Sequence, residues 1–243
     1  MSGHSKWHNI QARKGKQDAL RGNLFTKIGK AISVAARSGG GDASSNFSLR
    51  LAIEKAKEAG MPKDNIERAI KRGAGELEGA QIEEVLYEGY GPGGVAILIK
   101  TLTDNKNRTV SDLKRILSAG GGNMAGAGSV LWMFSQMGVI SLPLDKREIG
   151  GGSREDFELK MIEAGAEDIV DAEEILEIRT KVENFQKVLG ALKELGIEPA
   201  ESGLRWVAKD GAQVDEATGQ KLEKLFAALE ENDDVDDFFT NVI

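Results

Sequence analysis

Near Glu76 the pattern of this 243-residue chain changes from helical to strand-rich, and that break constrains the fold more than any other feature. Before it, apolar residues recur at three- and four-residue steps. Phe25, Ile28, Ile32 and Ala35 fall within about 80° of arc at 3.6 residues per turn, which predicts an amphipathic helix over Asn23 to Arg37. Lys27, Lys30 and Arg37 lie roughly opposite that stripe, so one face packs and the other carries positive charge. Ser38-Gly39-Gly40-Gly41-Asp42 breaks the helix. A second helix follows Asn46, with Leu49, Ile53 and Ala56 inward, and ends at Gly60. Met61-Pro62-Lys63-Asp64-Asn65 feeds a third, in which Ile66, Ala69 and Ile70 pack while Arg68, Lys71 and Arg72 face solvent. Cations near that C-terminus also suit the helix dipole, a purely structural reason for them. Gly73-Ala74-Gly75 then closes a small helical domain.

Beyond Glu76, Ile82 to Tyr90 and Val95 to Thr103 read as two strands joined by the turn-rich Gly91-Pro92-Gly93-Gly94. Thr103-Asp104-Asn105 supplies N-cap chemistry for a helix through Val110, Leu113 and Leu117. The aromatic run Val130 to Phe134 is expected to be a strand, as is Val139 to Leu142. After Gly150-Gly151-Gly152 come a helix (Asp156 to Ala164), strands at Ile169-Val170 and Glu174 to Thr180, and a helix from Val182 to Leu195. A strand around Arg205-Trp206-Val207, a helix from Asp215 to Leu229 and a strand from Val235 to Val242 complete the pattern. Strand pairs alternating with single helices indicate α+β layers, helices on one face of antiparallel sheets. The region is too long for one such layer. Two α+β subdomains are expected, the element order admitting insertion of the second into the first.

Charge divides at the same break. The whole chain carries 32 Lys and Arg against 39 Asp and Glu, a formal net charge of −7. Residues 1–75 nevertheless hold 15 basic against 6 acidic side chains, a surplus of nine, and the remainder is −16. In the first forty residues Asp18 is the only acid among eight cations. Such a sign change points to a polyanion-facing segment joined to an acidic body. Residues 1–22 are basic, polar and glycine-interrupted, and read as an arm that orders against a ligand.

Catalytic chemistry finds little to work with. Cysteine is absent and the only histidines, His4 and His8, lie in the first ten residues, which removes disulfides, thiolate zinc and cysteine nucleophiles. The composition suits a reducing cytoplasm. The N-terminus has no apolar segment of secretory type, and no apolar run approaches the roughly 20 residues of a membrane helix. His4 and His8 lack a third ligand, so no metal is expected, and no Lys-Ser or Lys-Thr pair follows the glycine segments as a Walker loop requires. Paired carboxylates such as Glu83-Glu84 and Asp233-Asp234 belong to an acidic surface; the run Asp233 to Asp237 is read as a solvated face, a device that sheds wrong polyanions or a contact for a basic partner. Asp104 to Thr109 fits phosphate contact and helix capping about equally. Tyr87 and Tyr90 fit packing better than base stacking.

Several segments together resemble the YebC/PmpR family of bacterial regulators. They are Gly3-His4-Ser5-Lys6-Trp7 with Ile10 and Lys14, Met61 to Ile70, Tyr87 to Gly94, Thr103-Asp104-Asn105 with Arg108-Thr109, Gly128-Ser129-Val130 before Trp132 and Phe134, and Gly165-Ala166-Glu167-Asp168. The match spans nearly the whole chain. It implies three domains, a helical first one and two α+β ones, the third inserted in the second, and a cytoplasmic protein without catalytic activity or cofactor. The expected boundaries are a basic arm over 1–22, a helical domain over 23–78, an α+β domain over 79–134 and 204–243, and an inserted α+β domain over 135–203. Bacterial members are described as DNA-binding transcriptional regulators. Relatives, among them the mitochondrial translational activator of cytochrome oxidase, act in translation, and some bacterial members are linked to ribosomes stalled on proline-rich sequences.

The expectation is therefore a non-enzymatic regulator of gene expression. Its partner is duplex DNA or, as the alternative, ribosomal RNA of the large subunit, and its oligomeric state stays open. The residues expected to meet nucleic acid are Lys6, Trp7, His8, Arg13, Lys14, Lys16, Arg21, Lys27, Lys30, Arg37, Arg68, Lys71, Arg72, Lys106 and Arg108. Neutralising Lys27, Lys30 and Arg37 should flatten the salt dependence of binding.

Overall fold

The structure, a computed structural model, describes residues 19–143, 153–172 and 175–243. In chain order the helical part is α1 (Ala19–Gly39), α2 (Phe47–Glu58) and α3 (Lys63–Gly73). There follow β1 (Glu83–Tyr90), β2 (Ala96–Thr103), α4 (Lys106–Ala119), β3 (Asn123–Ala125) and β4 (Phe134–Pro143). Next come α5 (Arg154–Ala164), β5 (Ala166–Ala172), β6 (Ile175–Lys181) and α6 (Phe185–Glu194). The last elements are β7 (Glu201–Ala208), α7 (Glu216–Glu230) and β8 (Val235–Thr240). The architecture is α+β with two four-stranded sheets. Among the described residues, contacts gather into two units, 19–131 with 214–238 and 132–213 with 239–243.

In the first unit α1, α2 and α3 close on a core of Ile28, Ile32, Ala36, Leu49, Ala56, Met61, Ile66 and Ala69. The predicted stripe of α1 thus buries as expected, and the helix starts four residues before Asn23. Asn46 joins two helices. Its Oδ1 accepts from the Leu49 amide at 3.1 Å as the N-cap of α2, and its Nδ2 donates to the carbonyls of Ala35 and Gly40, each at 2.7 Å. Gly73 sits where α3 meets α1: a Cβ there would collide with the Ser33 carbonyl and the Ala36 side chain, so only glycine allows this approach. Beside it the Ser33 hydroxyl donates to the Ala69 carbonyl at 2.8 Å.

The same unit carries a sheet in the order β3-β1-β2-β8. β1 and β2 form the predicted hairpin, antiparallel from Glu83↔Thr103 to Tyr90↔Ala96. β2 is buried on both faces, Ala96 to Ile99 being wholly inaccessible, which explains its unbroken apolar run. α4 begins after Asn105, whose side chain accepts from the Arg108 amide at 3.1 Å, and α7 after Asp215, which caps at the Thr218 amide.

The second unit holds an antiparallel sheet in the order β5-β6-β4-β7. α6 packs on β4 and β6, and α5 on α6 and β5. The ring of Phe185 seats over Gly138 of β4, where any Cβ would clash with it. Ser153 and Asp156 form a reciprocal capping box that starts α5.

One predicted strand is absent. Val130 to Phe134 does not extend: residues 131–133 form a 3-10 turn and β4 begins at Phe134. The cause is Glu88 on β1, whose buried carboxylate accepts from the amides of Gly128 and Val130, both at 2.6 Å, and of Leu131 at 2.9 Å. Three amides drawn to one carboxylate cannot serve a strand ladder.

Candidate nucleic-acid interface

Of the residues expected to meet nucleic acid, Lys6, Trp7, His8, Arg13, Lys14 and Lys16 lie outside the described residues, and Arg21 falls in the first turn of α1. The other eight belong to the first unit, where the structure sorts them into two groups.

Five are held by the protein itself. Lys27 donates to the Glu230 carbonyl at 2.6 Å, and burial holds its ammonium below the ordinary lysine value despite the nearby Asp236 and Glu230. Lys30 donates to the Asp233 carbonyl at 2.8 Å and to Asp234 Oδ1 at 2.7 Å. Arg37 donates to Gln81 Oε1 at 2.8 Å. Lys106 pairs with Glu83 at 2.7 Å, and that hydrogen bond raises the lysine and lowers the carboxyl. Arg108 reaches Asp234 at 3.0 Å and Asp104 at 2.9 Å.

Asp234 is the meeting point. It is 4 % exposed, and it also accepts from the hydroxyls of Thr103 and Thr109. Burial pushes its carboxyl upward, but the hydrogen bonds from Lys30, Arg108 and Thr109 prevail and hold it below the ordinary carboxylate range. The acidic run Asp233 to Asp237 is therefore not simply a solvated face: Asp234 lies in the core of the unit, and Asp236 pairs with Lys100 at 2.8 Å. The segment Asp104 to Thr109 likewise caps a helix and ties it to Asp234.

The remaining three stand on α3. Ile66 and Ala69 bury one side of this helix, while Arg68, Lys71 and Arg72 are exposed on the other. No described residue pairs with any of the three. At 100° per residue they span about 100° of the helix surface, and Asn65 extends the same stripe. Lys55 and Lys57 on α2 are exposed too and were not among the expected contacts. At 100° per residue they flank the buried line of Leu49 and Ala56 on its two sides. α2 and α3 are joined by the short turn Ala59 to Pro62, which contains Gly60, so they make a helix-turn-helix pair with α3 second.

Elsewhere, Tyr90 donates to the Ser129 carbonyl at 3.1 Å, a packing role as expected. Trp132, expected inside a strand, is instead 66 % exposed. Among the described residues no cluster of His, Asp and Glu is arranged to hold a metal, and no helix is long and apolar enough to cross a membrane.

A three-helix domain followed by two α+β layers is an architecture shared with a known family. Residues 5–76 match the family model described as the TACO1/YebC protein N-terminal domain, and residues 82–242 match that of the TACO1/YebC second and third domain. The chain belongs to the TACO1/YebC family. It is 50% identical over 243 residues to a protein of Sulfurihydrogenibium named a probable transcriptional regulatory protein, covering 99% of this chain and 95% of that one. A protein of the same name from Persephonella marina is 51% identical over 243 residues, with the same coverage. Among solved structures, a conserved hypothetical protein from Aquifex aeolicus shares the fold with a TM-score of 0.83 and 44% identity, over 95% of this chain and 93% of that one.

Proposed function

We propose that this protein is a non-enzymatic, DNA-binding regulator of transcription whose phosphate contacts centre on the exposed face of α3, with the basic N-terminal residues adding to them. One observation carries the reading. Lys27, Lys30 and Arg37 of α1 and Lys106 and Arg108 of α4 are occupied within the protein, whereas Arg68, Lys71 and Arg72 have no partner among the described residues. A row of desolvation-free guanidinium and ammonium groups on one helix is what a phosphate backbone neutralises, with release of counterions. The family names, which speak of transcriptional regulation, agree with it.

Ribosomal RNA is the second reading, favoured by a groove beside α3, lined by Phe25, Met61 and Ile82 with Asn65, Arg68 and Arg72, which has room for a base that duplex DNA keeps stacked. Equilibrium binding to genomic duplex DNA and to large ribosomal subunits, across a salt series, tests both. Binding to particular DNA fragments that persists at physiological salt supports the transcriptional reading. Subunit binding that outlasts DNA binding as salt rises makes the protein a translation factor. Indifference to all nucleic acids removes the proposal.

A further inference from the structure

Within the first unit, a groove of about 450 Å³ runs between α1, α3 and the segment 79–82. Phe25, Met61 and Ile82 line it together with Asn65, Arg68 and Arg72. Phosphate contact alone has no use for the first three. The volume lies within the range of sites that enclose one small molecule, about 300–1,000 Å³, and is too small for a helix.

Its chemistry is equally specific. Lys30 and Asp104 also border the groove, but Lys30 is spent on Asp234 and Asp104 on Arg108. What stays available is an apolar lining with one phenyl ring, two guanidinium groups and the half-buried amide of Asn65, whose side chain no described residue engages. An amide offers a donor and an acceptor side by side, the pairing that reads a base edge. Guanidinium groups take phosphate. An aromatic and aliphatic lining takes the face of a base. Base and phosphate come together only in a nucleotide, and within a nucleic acid only an unpaired nucleotide can turn its base out of the stack.

We propose that this groove receives one unpaired nucleotide of the bound nucleic acid, its base against Phe25 and Met61, its edge at Asn65 and its phosphates at Arg68 and Arg72. The inference rests on the reading of α3 as the phosphate-binding helix and specifies what that helix selects.

The test uses the full chain in fluorescence-anisotropy titrations against four labelled hairpins. Two are RNA, one fully paired and one with a single-nucleotide bulge, and two are their DNA counterparts. Adenosine monophosphate serves as a free-nucleotide competitor. The bulged hairpins should bind about tenfold tighter than the paired ones, the lower end of what one stacked base contributes. The ratio between RNA and DNA bulges shows which polymer supplies the nucleotide. Gly29→Leu then places bulk in the groove without changing charge. Gly29 lines it, and an added Cβ would sit 3.6 Å from the Met61 terminal methyl, an ordinary contact, in a helix interior where glycine is itself unfavourable. This variant should abolish most of the bulge preference while paired hairpins bind as before, and Asn65→Ala should independently narrow the ratio of bulged to paired binding. Equal binding of bulged and paired hairpins overturns the groove while leaving the interface intact. Full displacement by the mononucleotide at matching concentration would assign the groove to a free nucleotide and overturn the claim that the bound nucleic acid supplies it. Absence of binding to every hairpin overturns the interface and the groove with it.

Discussion

Lys30 on α1 and Asp234, just before β8, meet at 2.7 Å although 204 residues separate them in sequence. The pair ties the helical part of the first unit to its sheet, and Arg108 and Thr109 hold the same carboxylate from α4. Removing one partner from a buried pair leaves the other charge uncompensated, at a cost of about 3 kcal/mol. Asp234→Asn should therefore lower the midpoint of thermal unfolding by about 6–12 °C, taking about 2–4 °C per kcal/mol for a chain of this size. Circular dichroism melts measure it. A change below about 2 °C would show that the carboxylate is dispensable.

The same group predicts a pH dependence. Its folded pKa is depressed, so the unfolded chain binds the proton more readily. The stabilisation is thus complete above the ordinary aspartate value, about 3.9, and is lost as pH falls through the lower folded value. Denaturant unfolding of the natural chain and of Asp234→Asn should differ by a constant amount between about pH 5 and 8, and the two should converge below about pH 4. A gap that persists unchanged into acid would mean that the asparagine acts through packing alone.

Glu88 supports a third prediction, of a different kind. Burial pushes its carboxyl up, the amides of Val130, Gly128 and Leu131 pull it down, and the balance lies below the ordinary value. A glutamine has one oxygen and a competing amino group, so it cannot satisfy three converging donors. Glu88→Gln should speed hydrogen exchange at Gly128, Val130 and Leu131 by roughly ten- to a hundredfold, the equivalent of about 1–3 kcal/mol of local protection. Amides of the β1–β2 hairpin serve as the internal control. Unchanged exchange at the three positions would show that the turn before Trp132 is held by other means.

These sites also show where sequence reading stops. The apolar stripe of α1 and the β1–β2 hairpin are legible because each is written within one local period, and both form as predicted. The α+β layers follow from strand pairs alternating with single helices, and the family resemblance adds the expectation that the third domain is inserted in the second. Which cations stay free is not a local property. Lys27, Lys30 and Arg37 look alike on a helical wheel, yet the first two find partners at Glu230, Asp233 and Asp234, some 203 residues away. The run Val130 to Phe134 has strand composition, and nothing inside it reports that Glu88, forty residues earlier, captures its amides. Arg68, Lys71 and Arg72 were visible, but their weight relative to α1 depends on pairs that only the fold creates.

That redistribution makes the last prediction the most discriminating. Each phosphate neutralised contributes about 0.9 to the slope of log affinity against log salt for duplex DNA. If α3 carries the contacts, replacing Arg68, Lys71 and Arg72 together by Gln should reduce the slope by about 2–3 and weaken binding uniformly across sequences. These side chains are exposed and no described residue pairs with them, so the melting temperature should hold. Lys27→Gln should behave the other way. Its ammonium is buried against the Glu230 carbonyl, so the substitution should lower stability and leave the slope nearly unchanged. Salt-series titrations of both variants, alongside their melts, separate the helices. A flattened slope in Lys27→Gln with none in the α3 variant would return the interface to α1, with the pairs at Glu230 and Asp234 opening when nucleic acid binds.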